Sequence, residues 1–351
     1  MNVLVTGGAG FIGSVCTERL LSTGRKVVVV DNLSTGHQGA VPSGAEFVQG
    51  DFADRALCVD LIRRFRIETV MHFAAETLVD KSMTDPRAYF QNNLKKGIDF
   101  LDLLVDVGVK QFVFSSTAAV YGEPQQTPIT EDHPTNPINA YGDSKLMFEK
   151  VLGWYGRAYG LRSIVVRYFN AAGATQFLGE DHCPESHLIP RLLNSAMDPS
   201  AEFVVYGTDY PTPDGTCIRD YVHVRDVAEA HALAAEALSK GICGTFNIGS
   251  GKGFSVKEVI STTEQILGRP TRLRVGPRRE GDPAILVAGN GKLSRELGWK
   301  PLSSSLHEIV KSAWEWKQAH LHGYTSHGVS ETRGAASRCE GGATHPAATP
   351  A

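Results

Sequence analysis

Along the first half of the chain, short β-branched runs alternate with longer segments whose apolar positions recur at helical spacing. "NVLVTG", "KVVVVDN", "ETVMHFAA", "QFVFSST" and "RSIVVRYFN" read as strands, with "SVCTERLLSTG", "ALCVDLIRRFR", "QNNLKKGIDFLDLLVDVG" and "KLMFEKVLGWYGRAYG" as the helices. Strand, helix, strand at this spacing predicts βαβ units and a parallel sheet. Near residue 170 the rhythm changes, and "AAGATQFLGEDHCPESHLIP" reads as ordered loop. The strand "EFVVYG", the helix "VRDVAEAHALAAEALSKG", the strand "GTFNIGSG" and helices around 256–267 and 303–319 follow. The expected fold is α/β: a Rossmann-type doubly wound parallel sheet over 1–170, with returning segments near 215–250. A smaller, interleaved mixed α/β substrate domain is expected over 171–320. Residues 322–351 have almost no apolar periodicity and are expected to form a disordered tail.

With 351 residues, 42% of them hydrophobic, the chain can bury a sizeable core. A net charge of -3 leaves no basic surplus for nucleic acid or an anionic membrane, so neither partner is expected. An anionic small molecule has to be held by a few placed groups. No run approaches a membrane span, and the opening "MNVLVTGG" lacks the regions of a signal peptide. Cys16, Cys58, Cys183, Cys217, Cys243 and Cys339 lie far apart, which predicts reduced thiols and a cytoplasmic protein. His182, Cys183 and His187 are close in sequence but have no second clustered pair, so they read as loop residues and no metal site is expected.

The first strand runs into "TGGAGFIGS", whose glycines fit two dinucleotide-binding spacings: Gly8, Gly10, Gly13 and Gly7, Gly10, Gly13. Gly7 and Gly10 allow a tight turn and close approach to a pyrophosphate, and Gly13 lets the next helix pack near the sheet. Asp31, ending the second strand, is placed to accept from the adenosine ribose hydroxyls and to repel a 2'-phosphate, which favours NAD. Asp51 reads either as a contact to the adenine amino group or as an ordinary loop aspartate.

Downstream, "YGDSK" puts Tyr141 and Lys145 on one face at a helix start. A phenol with a pKa of about 10 is a poor base at neutral pH. A neighbouring ammonium, joined by the positive ring of oxidised NAD, is expected to lower that value and make Tyr141 a proton shuttle. Ser115, Ser116 and Thr117 end the preceding strand, where ligands of open α/β sheets bind. A hydroxyl there can orient a substrate alcohol.

With "YFNAAGA", "GEDHCPESHLIP", "VYGTDYPTPDGTCIRDYVHV" and "RREGDPAILVA" added, roughly residues 1–320 resemble the extended short-chain dehydrogenase/reductases and, among them, the UDP-glucose 4-epimerase family. The resemblance implies Tyr141 as base, Lys145 as its electrostatic partner and ribose ligand, and Thr117 as the strand-end hydroxyl. It implies NAD contacts from Phe11, Ile12, Asp31, Asn32, Asp51, Phe52, Phe73, Ala74, Asn93 and Phe169. For the sugar nucleotide it implies Asn170, Leu188, Tyr206, Arg219 and Arg279, with Asp282 nearby; arginine forks suit a diphosphate. It also implies a homodimer formed through the helices near 93–107 and 144–158. Two positions depart from the pattern: Thr77 stands where some members carry a phosphate-contacting lysine, and Leu286 stands at the gate of the sugar pocket.

The implied reaction interconverts UDP-glucose and UDP-galactose through a 4-keto sugar, with NAD regenerated in each cycle. The alternatives are an epimerase of a UDP-N-acetylhexosamine or UDP-uronate, a 4,6-dehydratase, and a regulator that senses NAD without chemistry. Dehydration needs a further acid/base pair, and Thr117 is followed by Ala118 and Ala119.

Overall fold

Seven of the chain's strands lie side by side and parallel: β1 (Asn2–Thr6), β2 (Lys26–Asp31), β3 (Glu46–Gln49), β4 (Thr69–His72), β5 (Gln111–Thr117), β6 (Arg162–Tyr168) and β7 (Gly244–Ile248). Their order is β3-β2-β1-β4-β5-β6-β7. Strand order runs outward in opposite directions from β1 and β4, and beyond the carboxyl ends of such a pair a crevice opens for a ligand. This is the doubly wound α/β architecture that the alternating pattern predicts. The computed structural model describes residues 1–198, 200–279 and 282–324.

Side-chain alternation divides each strand between two cores. Val3, Val5, Val27 and Val29 face α1 (Phe11–Ser22) and α5 (Val224–Ser239), meeting Leu20, Ala230, Ala234 and Leu238. Leu4, Val28, Val30 and Val70 face the other way, toward Leu61 of α2 (Arg55–Phe65), Leu104 of α3 (Lys96–Val107) and Phe148 of α4 (Ala140–Tyr159). Both faces being covered, the strands carry near-continuous Val runs. The helix boundaries have local causes. Asp54 caps α2 through Leu57 N (3.1 Å), Asn139 caps α4 through Gly142 N (2.8 Å), and Gly160 ends α4 at φ +70°.

The smaller lobe begins as the chain leaves β6. Strands Asn170–Ala172, Gly253–Ser255 and Ile285–Leu286 pair with Ile218–His223, and Phe203–Tyr206 pairs with Leu273–Gly276. Helices Leu188–Met197, Val256–Leu267 and Leu306–Ala319 close a third core around Leu192, Val259, Ile309 and Val310. Within the segment expected to return to the first sheet, Ile218–His223 stays with the small lobe, and the return starts at Val224. The helix read from "QNNLKKGIDF" is broken at its start, where Phe90–Lys95 winds as a π-helix before α3.

The expected tail is shorter at its beginning: Tyr324 N donates to Asp181 Oδ2 (2.9 Å), and its hydroxyl bonds Gly179 O (3.1 Å). Residues 325–351 lie outside those described. Among the described residues no helix is long and apolar enough to cross a membrane.

Candidate active site

The glycine turn shows why four glycines stand together. Gly7 has φ +75°, and a Cβ there would lie 2.5 Å from Ala74 N. One at Gly13 would lie 2.3 Å from Gly7 O, so the first turn of α1 sits directly on the loop. A Cβ at Gly8 would meet Val29 Cγ1 at 2.8 Å, which makes Gly8 a packing residue and resolves the doubled spacing in favour of Gly7, Gly10 and Gly13. Gly10 is the N-cap of α1, with no side-chain cap and no acidic residue in the first turn. Such a helix start offers its amides to an anion, and the residues fit a dinucleotide pyrophosphate.

Asp31 is buried, accepting from Ala9 N (3.0 Å) and Leu33 N (2.8 Å). Each oxygen keeps a lone pair for a ribose hydroxyl. Exposed Asn32 accepts from Ser34 N (3.0 Å). Asp51 is half-buried, which raises its pKa, but Lys96 Nζ (2.6 Å) and Ala53 N (2.9 Å) outweigh burial and hold it below the ordinary carboxylate value. The Phe52 ring is in the core against His72 (4.9 Å) and Phe100 (5.7 Å). Phe73 packs on His231 (4.9 Å), Ala74 N donates to Thr6 O (3.1 Å), and Phe11 and Ile12 pack with Val15, Leu178 and Val224.

Asn93, on the π-helix, spends its amide on the protein. It accepts from Glu76 N (2.8 Å) and donates to Glu76 O (3.0 Å) and Ser144 Oγ (3.2 Å). It clamps the loop after β4 onto α4.

The start of α4 is pressed against the end of β5: a Cβ on Gly142 would lie 2.7 Å from Ala119 O. Tyr141 is thereby brought beside Thr117, near enough for the threonine side chain to act on the phenol. Thr117 Oγ1 also accepts from Ala119 N (3.1 Å). Lys145 Nζ donates to Ser115 O (2.8 Å) over the Phe114 ring (4.8 Å).

The expected lowering of the Tyr141 pKa is not produced by the chain itself. Burial pushes Tyr141 up to about 12, partly countered by Thr117. Burial also pushes Lys145 down to about 7, with Glu149 opposing that shift. Desolvation disfavours both charged forms at once.

Sequence reasoning missed what supports this pair. Glu149, two turns beyond Tyr141, makes a buried, forked ion pair with Arg167 of β6 (2.6 and 3.1 Å) and accepts from Ser116 Oγ (2.5 Å). Arg167 continues to Tyr121 OH (2.9 Å), and Tyr121 donates to Asn247 Oδ1 of β7 (2.7 Å). Under β5, His231 Nδ1 donates to Val227 O (2.9 Å), so its Nε2 accepts from Tyr168 OH (2.6 Å), which lies 2.7 Å from Ser115 Oγ. No local motif marks these long-range pairs.

In the small lobe, buried Arg219 is ion-paired with Asp282 and donates to Ile218 O (2.8 Å), while the Arg279 guanidinium lies 4.4 Å over the Tyr206 ring. Asn170 is register partner to Tyr221, and Leu188 opens its helix. Leu286, register partner of Arg219, packs with Phe169, Ala118 and Leu146, which joins the arginine strand to the turn after Thr117. Asp220, also missed, accepts from Ser250 N (2.7 Å), Gly251 N (3.0 Å) and Ala288 N (3.0 Å), tying those segments to the same strand. His182 and His187 lie in the loop before helix Leu188–Met197, where they come together with Glu180 and Glu185, while exposed Cys183 lies outside that set.

A dinucleotide along the glycine turn, with an alcohol presented to Tyr141, is the arrangement of a nicotinamide-dependent enzyme. The chain belongs to the NAD dependent epimerase/dehydratase family, whose model matches residues 3–249. Relatives named UDP-glucose 4-epimerase match nearly the whole chain. A UDP-glucose 4-epimerase of Halalkalibacterium halodurans is 49% identical over 329 residues, 93% of this chain and 98% of that protein. The structure of UDP-glucose 4-epimerase from Brucella ovis in complex with NAD has a TM-score of 0.87 at 44% identity, covering 89% of this chain and 97% of that one. That from Thermotoga maritima with UDP-glucose has a TM-score of 0.80 at 33% identity, covering 92% and 100%.

Proposed function

We propose that the chain interconverts UDP-glucose and UDP-galactose by inverting C4 of the hexose, with NAD as a resident cofactor. The observation that carries this reading is the Thr117–Tyr141 hydroxyl pair backed by Lys145 at the carboxyl end of β5. Tyr141 takes the proton of the 4-hydroxyl and returns it, and Thr117 orients that hydroxyl. NAD, when bound, accepts and gives back the hydride, and its positive ring adds the charge that the buried Tyr141 needs to ionise. Arg219 and Arg279 hold the diphosphate, with Asp282 orienting the Arg219 fork. The hexose turns about its diphosphate link between the two half-reactions while the anchored nucleotide retains the keto sugar. Leu286, packed beside Phe169 and Ala118, favours plain hexoses over N-acetylated ones. Ala118 and Ala119 supply no acid/base pair for dehydration.

The chain is read as a cytoplasmic homodimer. The dimer reading draws support from Met147, Trp154 and Tyr159, large side chains exposed on α4. The test of function is direct: purified protein is incubated with UDP-galactose without added NAD, and UDP-glucose is followed by NMR. Conversion is expected. No product even after NAD is supplied overturns the proposal, and parallel runs with UDP-N-acetylglucosamine and UDP-glucuronate decide the sugar.

A further inference from the structure

The loop between strand Asn170–Ala172 and helix Leu188–Met197 carries a cluster that the proposed reaction does not use. Glu180, His182, Glu185 and His187 each offer one donor atom, and these atoms all lie within 4.8 Å of one another. His187 Nδ1 is 2.5 Å and His182 Nδ1 3.1 Å from the same Glu180 oxygen. Glu185 completes the set at 3.4 Å from His187 and 4.0 Å from His182. The Glu180 and Glu185 side chains are only 6% and 11% exposed, whereas His187 is 49% exposed and leaves a way in. The backbone amide of His187 donates to Glu185 Oε1 (2.8 Å) and fixes that carboxylate.

Two carboxylates at this depth require positive charge beside them. The two rings stand side by side, with centroids 5.4 Å apart. One dication among these four donors matches the charge of the two carboxylates. Two imidazole nitrogens and two carboxylate oxygens are a donor set for a borderline transition metal, whereas magnesium and calcium take oxygen ligands. Metal bonds of about 2.0–2.2 Å place tetrahedral donors about 3.3–3.6 Å apart, within the spread of separations seen here.

We propose that Glu180, His182, Glu185 and His187 form a binding site for one divalent transition metal, with zinc as the natural occupant. With four protein donors the site is structural. Its pocket is also walled by Gly173, Ile189, Trp316 and Lys317, so the ion fastens this loop between helices Leu188–Met197 and Leu306–Ala319. The spacing Glu-x-His-x-x-Glu-x-His escapes a search for paired Cys or His because half of its donors are glutamates.

The experiment strips the purified full-length protein with a chelator, adds zinc, removes the excess by gel filtration and measures retained metal by mass spectrometry. About one zinc per chain is expected, with a rise in Tm, and cobalt in its place should give the intense visible band of tetrahedral Co(II). Glu180→Gln and His187→Ala should each retain at least tenfold less metal. The half-exposed His187 position keeps the test valid if the buried Glu180 variant fails to fold. Wild-type protein that retains no zinc, or a His187→Ala variant that retains as much as wild type, overturns the proposal.

Discussion

Burial moves Tyr141 and Lys145 toward their neutral forms, Tyr141 to about 12 and Lys145 to about 7, so the pair is poised to respond to charge brought by a ligand. Removing only the phenol oxygen isolates its part in the reaction. Tyr141→Phe is expected to lower turnover by about 10²–10⁴-fold while NAD and UDP-sugar remain bound, which a steady-state assay and the absorbance of retained cofactor will show. Leu286→Ala enlarges the space beside Phe169 and should raise kcat/KM for UDP-N-acetylglucosamine relative to UDP-glucose; an unchanged ratio would remove Leu286 from sugar selection. At this scale the sequence was most informative where chemistry sits at fixed offsets: the glycine turn, Asp31, and Tyr141 with Lys145. It was silent on Glu149 with Arg167, which meet across 18 residues and two elements. It also did not reveal that the amide of Asn93 is occupied by Glu76 and Ser144.

Between elements, buried polar pairs set how α4 and α5 lie on the sheet. Glu149→Gln leaves the Arg167 guanidinium without its counter-charge and should destabilise the protein by about 3–5 kcal/mol, measured by urea unfolding. The same change removes a group that raises the Lys145 pKa, so any pH-activity step due to Lys145 should move down. Three buried histidines give the fold an acid limit. Desolvation pushes His72 down to about 3, His223 to about 3 and His231 to about 4, with nearby cations adding to the first two shifts and the Val227 carbonyl opposing the third. Above their ordinary value of 6.5 both folded and unfolded chains hold these rings neutral. Below it only the unfolded chain takes up protons, so stability falls with pH until the folded rings titrate. Each ring contributes about 1.4 kcal/mol per pH unit through that window, and the fall in Tm between pH 6.5 and 4 should shrink in His223→Gln. Strand and helix types were legible from periodicity. The π-helical start before α3 was not, since no breaker residue marks Phe90–Lys95.

For the whole molecule, the doubly wound sheet was readable because each βα repeat states its own type and order. The membership of Ile218–His223 in the small sheet was not, since β-branched character says nothing of which neighbour a strand will choose. Trp154, 65% exposed on α4, is the position at which the proposed dimer is tested. Trp154→Lys should shift the mass seen by light scattering toward the monomer; an unchanged dimer would place the contact elsewhere.

The two lobes are not consecutive in the chain. After β6 the backbone builds part of the small lobe, comes back for α5 and β7, and leaves again. An exchange of C-terminal halves between related genes would therefore carry off an edge strand of the seven-stranded sheet along with the small lobe.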